Sequence, residues 1–427
     1  MVVVREEEPP VTGSEDGLEA EEVRTAEPML PPGPDRLTTV PANVVDLIPK
    51  AQALLADDTL EVKFCGATPK AAKPPAKGKA ADKTPPEKPK TEATCLCDYK
   101  LAVTDAKGAI TLVDAYQGQE ESSPPGYSIR AQITPGYERA CGSNPTLAVS
   151  HPPGQTVLAV RTVVKDGKRT TRQAVFTPFT DELNVPELRQ KGLDYWWGTV
   201  KAGRDQLAAN KVPSEFRKGE LVTDVIPDRH VFLLGIIENI GTLSAFGDNG
   251  SDEARLREIN AVLVMYGANG SNAFNWRVSS ANARGPVQFT PTIYESLRKQ
   301  YPAAEIPKDF VTGTSDHRVS VRAAYIHSDE EFRPLQADWR TALPEHPLLF
   351  GLYLASGYNG NVRWANKGLH ACTAAEWYGA TCSTMKGETI WYQRKYIATD
   401  AMFFLRKVRA RIVEELSSSA EDDAKTE

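Results

Sequence analysis

Ile226–Gly247 reads IPDRHVFLLGIIENIGTLSAFG, and this stretch decides how the larger part of the chain is read. Its middle, VFLLGIIENI, is apolar on every face, which predicts a helix buried all round. Pro227 and Asp228 open it, with Asp228 placed to cap the N-terminus. The last turn holds one acid, Glu238, followed shortly by Gly241. A carboxylate in that setting loses hydration, and desolvation raises its pKa. A Glu held protonated near neutral pH is what a general acid needs. The alternative is a side chain that escapes to solvent past the helix end, or one that pairs with an Arg such as Arg284.

Helical periodicity extends on both sides of this run, from about Glu187 to the end of ETIWYQRKYIATDAMFFLRKVRARIVEEL. Within it lies SSANARGPVQFTPTIYESL, Ser279–Leu297, a small-residue turn with an Arg-Gly-Pro corner and a lone Gln288 before an amphipathic run. Thr290 and Pro291 read as a helix N-cap and first position. Upstream, YKLAVTDAKGAITLVDAY and TVLAVRTVVKDGKRTTRQAVF each read as a β-hairpin, turning at Lys107-Gly108 and Asp166-Gly167. The fold class expected is therefore α+β: a C-terminal, mainly α domain preceded by a small β-rich domain, with disordered tails. The boundaries expected are an acidic tail over 1–40, a short helix-and-strand segment over 41–67 and a Lys/Pro/Ala-rich linker over 68–94. The β-rich domain follows over 95–182, the helical domain over 183–415 and a second tail over 416–427.

The 427 residues carry a formal net charge of −6, which argues against a nucleic-acid partner. No apolar run is long enough to cross a bilayer, and MVVVREEEPPVTG is too acidic for an export signal. Six cysteines are present. Cys372 and Cys382 bracket CTAAEWYGATC, whose closure by a disulfide suits an oxidising compartment; the pairing of Cys65, Cys95, Cys97 and Cys141 is left open. Cys95-Leu-Cys97 is a close thiol pair, but no second pair sits at zinc-finger spacing. Nor do His230, His317, His327 and His370 show metal spacing, so neither metal nor cofactor is expected.

Read together, LLGIIENIGT, ANARGPVQFTPTIY and the later LLFGLYLASGYNGNVRW resemble the catalytic half of lytic transglycosylases, lysozyme-like enzymes that cleave peptidoglycan. In that family an acid ends a buried helix, a motif of the form A-x-G-x-x-Q-F-x-P-S-x-Y follows, and A-Y-N-x-G comes later. The three stretches span about 125 residues and cover only the helical part of the chain. Roughly fifty residues separate Glu238 from Gln288, including DEARLREINAVLVMY, closer to the branch with a helix inserted there. Asn239 stands where the soluble-type members often carry Ser.

The resemblance implies a lysozyme-like domain in which Glu238 alone is general acid and then base. It would protonate the glycosidic oxygen and take the proton of the muramic acid 6-hydroxyl, giving a 1,6-anhydro sugar. Gly285, Gln288 and Phe289 would form a substrate-binding turn, with Tyr358, Asn359 and Trp364 completing the cleft. Tyr353 would stack on sugar or belong to the core. The implied partners are peptidoglycan glycan strands, and envelope proteins met by the β-rich domain, in the periplasm or cell envelope. Two alternatives stay open: a muramidase with a second carboxylate among Asp248, Asp252 and Glu253, and a non-catalytic wall-binding scaffold.

Overall fold

The computed structural model describes residues 27–34, 37, 40–56, 98–116, 124–132, 146–166, 171–241, 244–335, 339–340, 343–360, 362–372, 377–378 and 387–405. The chain divides into two units, Thr38–Thr180 and a second made of Met1–Leu37 with Asp181–Glu427. It mixes helix and sheet, with a small antiparallel sheet and a helical C-terminal region.

The first unit contains helix α1 (Val44–Ala56) and strands β1 (Asp98–Thr104), β2 (Ile110–Tyr116), β3 (Ser128–Gln132), β4 (Thr146–His151), β5 (Thr156–Lys165) and β6 (Thr171–Phe176). Four strands form one antiparallel sheet in the order β2-β1-β5-β6, and β3 pairs with β4. Both expected hairpins form, with Thr104 opposite Ile110 and Lys165 opposite Thr171. In the first turn, Asp105 Oδ1 accepts from the backbone of Lys107 and Ala109 at 2.9 and 3.0 Å, the local bonding that suits Asp to turns. Helix α1 buries Val44, Leu47, Ile48, Ala51 and Leu55. Arg161 of β5 donates to its last carbonyls, Leu55 O at 2.7 Å and Ala56 O at 3.2 Å. The segment read from sequence as separate from the β-rich domain thus supplies that domain with a helix. The linker 68–94, the strand expected after α1 and the C-terminal tail lie outside the described residues.

The second unit comprises α2 (Pro186–Ala209), a short α3 (Val222–Val225), α4 (Asp228–Ile237), α5 (Asp252–Asn269), α6 (Pro291–Gln300), α7 (Phe310–Ser315), α8 (His317–Phe332), α9 (Pro347–Asn359), α10 (Val362–Ala371) and α11 (Gly387–Phe404). Among the described residues no helix is long and apolar enough to cross a membrane. Helix α4 is the centre. Val231, Phe232, Leu233, Leu234, Ile236 and Ile237 are fully buried, each large side chain contributing about 1.5–3 kcal/mol. Trp196 of α2 stacks on Tyr266 of α5 with ring centroids 5.0 Å apart, and donates to Phe232 O at 2.9 Å. At the start of α4, Pro227 occupies the cap position, and Asp228 does not cap. Its carboxylate instead accepts from Tyr325 at 2.6 Å and meets Arg204 at 3.2 Å.

Residues 27–34, read from sequence as part of a disordered tail, pack on this unit. Met29 N donates to Phe403 O at 2.9 Å, Asn260 Nδ2 to Pro32 O at 2.8 Å and Arg189 Nη1 to Pro34 O at 3.1 Å.

Candidate active site

Glu238 is the residue at which α4 ends, with its φ and ψ still helical. The final carbonyls of a helix lack intrahelical partners and carry the negative end of the dipole. Here cations meet them. Lys395 of α11 donates to Ile237 O at 2.8 Å, and Arg277 Nη1 to Asn239 O at 3.1 Å. Tyr392, one turn before Lys395, donates to Glu238 Oε1 at 2.5 Å. Burial raises the Glu238 carboxyl above its ordinary range, while Lys395, the Tyr392 hydroxyl and Arg277 pull it back without cancelling the rise. Lys395, itself 7% exposed, is pushed down by the same burial, with the Glu238 charge opposing. Glu238 is half-buried and so keeps an opening to solvent. The result is an acid whose protonated form is favoured by burial, with one donor, Tyr392, on its carboxyl and the charges of Lys395 and Arg277 close by to oppose the cost of the carboxylate left once the proton is given.

The stretches that stood far apart in sequence meet here. Asn239, 1% exposed, spans from its own helix to the 285–288 turn, donating from Nδ2 to Gly235 O at 2.8 Å and to Pro286 O at 2.7 Å. Tyr358 of α9 donates to Val287 O in the same turn. The turn is closed by paired backbone bonds between Arg284 and Phe289, at 3.0 and 3.1 Å. Gln288 sits at φ 52°, a left-handed conformation that costs a side-chain-bearing residue about 1–2 kcal/mol. Its amide folds back, donating to Gly285 O at 2.9 Å. The side-chain carbonyl is left as an acceptor, with no partner among the described residues. Gly285 has φ 75°, and a Cβ there would lie 2.3 Å from Thr314 O. Its freedom therefore serves the seating of the turn on α7.

The other expected residues are placed as follows. Phe289 is 2% exposed and packs edge-on against His327, with ring centroids 5.7 Å apart; it belongs to the core beneath the turn, and its side chain forms no part of the cleft wall. Tyr353 is also core, donating to Asn366 Oδ1 at 3.0 Å. Asn359 is exposed at the end of α9. Trp364 is half-buried on α10, with Arg363 5.0 Å and Lys367 6.0 Å from its ring. Arg284, the cation weighed as a partner for Glu238, donates to Asn282 Oδ1 at 3.3 Å, and Arg277 takes the place beside the acid. Asp248 is 83% exposed and paired with Arg394 at 2.6 Å; Asp252 pairs with Arg255 at 2.8 Å, and Ser251 caps α5. Cys372 is disulfide-bonded, and Cys382 lies outside the described residues. Among the described residues no group of three or more His, Cys, Asp or Glu is placed to hold a metal ion. No protein-family model matches the chain, and no match exists among curated proteins or solved structures.

Sequence reading missed Tyr392, Lys395 and Arg277. The signal that α11 offers is a Lys three residues after a Tyr, a spacing that places both on one face, in a helix that also carries Glu388, Gln393, Arg394 and Asp400. Lys395 makes a direct prediction. Catalysis by a protonated Glu238 falls as pH rises through its pKa. Lys395→Met removes a charge that lowers that pKa, so the alkaline limb of the pH–rate profile should move to higher pH. The rate at the optimum should fall on the order of 10²-fold, the cost of losing one fixed positive charge beside a developing negative one. A limb that stays in place would show that Lys395 serves the helix end alone.

Proposed function

We propose that the chain is a peptidoglycan lytic transglycosylase whose helical unit is a lysozyme-like domain. The observation that carries this reading is the convergence of three sequence stretches on one acid: Asn239 and Tyr358 both bond the turn that bears Gln288, and Glu238 adjoins Asn239. Glu238 protonates the glycosidic oxygen between muramic acid and glucosamine. The carboxylate that results, stabilised by Tyr392, Lys395 and Arg277, then takes the proton of the muramic 6-hydroxyl as that oxygen closes on the anomeric carbon. The 1,6-anhydro product follows, and one acid suffices where hydrolysis uses two carboxylates. Gln288 Oε1 accepts from the sugar, Tyr358 fixes the turn, and Asn359 and Trp364 lie further along the glycan. The disulfide at Cys372 suits the cell envelope, where the glycan substrate is found.

Products of purified cell wall test the reaction. Mass spectrometry should find muropeptides one water lighter than the hydrolysed forms. Hydrolysed muropeptides alone would instead make the protein a muramidase. Binding to wall without any product would make it a scaffold of the same fold.

A further inference from the structure

A second acid lies behind the site, and the reaction just proposed does not use it. Glu331, near the end of α8, is buried to 13% side-chain exposure, and its Oε2 has no hydrogen-bond partner among the described residues. His327, one turn earlier on the same face, is equally enclosed, and its Nδ1 is likewise unpartnered. His327 Nε2 stands 3.7 Å from Glu331 Oε1. Two unsatisfied buried polar groups on one face are costly and call for an explanation.

Their surroundings supply one. The His327 ring packs against Tyr358 with centroids 5.3 Å apart and against Phe289 at 5.7 Å, and Phe289 lies 5.9 Å from Tyr358. The Glu331 carboxyl is pressed against Gly357, the residue before Tyr358; a Cβ at 357 would lie 2.4 Å from Oε2 and 2.8 Å from Cδ. The acid therefore touches the backbone that carries Tyr358 while His327 touches its ring. Tyr358 in turn donates to Val287 O beside Gln288. Glu330 on the same helix, Tyr353 and Tyr358 on α9 and Tyr392 on α11 are the titratable groups, beside His327, that interact with the Glu331 charge. None of them is a cation. Burial raises the Glu331 carboxyl well above its ordinary range and lowers His327 to about 4.

We propose that Glu331 and His327 form a positioning pair that sets Tyr358, and through it the Gln288 turn, for the reaction of Glu238. The inference rests on the transglycosylase reading of Glu238 only for its kinetic arm. Glu331 acts through shape and contact, so Gln, which keeps the outline of the carboxyl, replaces it and Ala does not.

Glu331→Ala, Glu331→Gln and Gly357→Ala are compared with wild type in two measurements: kcat and KM on purified peptidoglycan, and the 13Cζ tyrosine resonance of Tyr358, assigned with Tyr358→Phe. Glu331→Ala should lower kcat about ten- to a hundredfold with KM within about twofold, and should shift the Tyr358 resonance. Glu331→Gln should restore both. Gly357→Ala, which drives a methyl into the carboxyl with Glu331 present, should reproduce the loss even where the Glu331→Ala protein folds poorly. Wild-type kcat and an unshifted resonance in Glu331→Ala and Gly357→Ala would overturn the proposal. So would equal losses in the Gln and Ala variants, which would make Glu331 a proton-transfer group. If wild type shows no turnover, the Glu238 reading falls and the resonance decides alone: a shift restored by Gln sustains the positioning pair, and no shift removes it.

Discussion

Glu238→Gln is expected to abolish peptidoglycan cleavage, a loss of about 10³-fold or more, since one residue would serve as both acid and base. The amide keeps the volume of the protonated acid and can accept from Tyr392, but it has no proton to give and no carboxylate to take one back. Stability should respond differently. Burial raises this carboxyl in the fold above its unfolded value. Its contribution is therefore fully present below the unfolded pKa and is lost as pH rises through the folded one. Gln removes that loss, and against it stands Lys395, left buried without its counter-charge. The two effects oppose, so the thermal midpoint should change by no more than a few degrees and wall binding should persist. Calorimetry, wall pull-down and product analysis on one preparation check all three. Turnover that survives the substitution would remove Glu238 from the centre of the site.

The parts legible in sequence were those in which local pattern and tertiary role agree. The apolar run 231–237, opened by Pro227 and Asp228 and closed by Glu238, reads as a buried helix, and an acid at its end inherits that burial. Asp105 with Lys107-Gly108 specifies a hairpin from within its own turn. What escaped depended on distance along the chain. Tyr392 and Lys395 lie more than 150 residues beyond Glu238, and nothing in α11 says which acid it will face. Residues 27–34 hold few bulky apolar side chains and so read as tail, yet their proline-rich backbone starts with less freedom to lose. Carbonyls of Pro32 and Pro34 help to seat it, through Asn260 and Arg189. Gln288 was legible as an unusual residue in a turn, and its strained conformation and folded-back amide were not. Gly285 was likewise legible as a missing side chain, and the Thr314 carbonyl that takes up its space was not.

Asp400→Ala should destabilise the helical unit by about 3–5 kcal/mol, the largest stability loss expected of any single substitution discussed for this chain. Arg229, at the start of α4, meets Asp400 of α11 through two bonds of 2.5 Å, with side chains 6% and 2% exposed. The guanidinium also lies 4.4 Å from the ring of Phe404. Removing the acid leaves a buried cation beside the aromatic ring of Phe404, and solvent cannot reach in to compensate. The pair itself need not be favourable, since desolvating two charges costs about what their attraction returns. Arg229→Met with Asp400→Leu should therefore recover most of the loss. Denaturant unfolding of the two single variants and the double separates these contributions, and a loss below about 1 kcal/mol in Asp400→Ala would show that the pair does not clamp the helices. The consequence reaches the site. Helix α11 carries Tyr392 and Lys395 to Glu238, and Asp400 anchors it a little over a turn beyond Lys395. A loosened α11 moves the Tyr392 hydroxyl and the Lys395 charge from the acid, so Asp400→Ala should also lower turnover at temperatures where the protein is still folded, and the double variant should regain turnover in proportion to its stability.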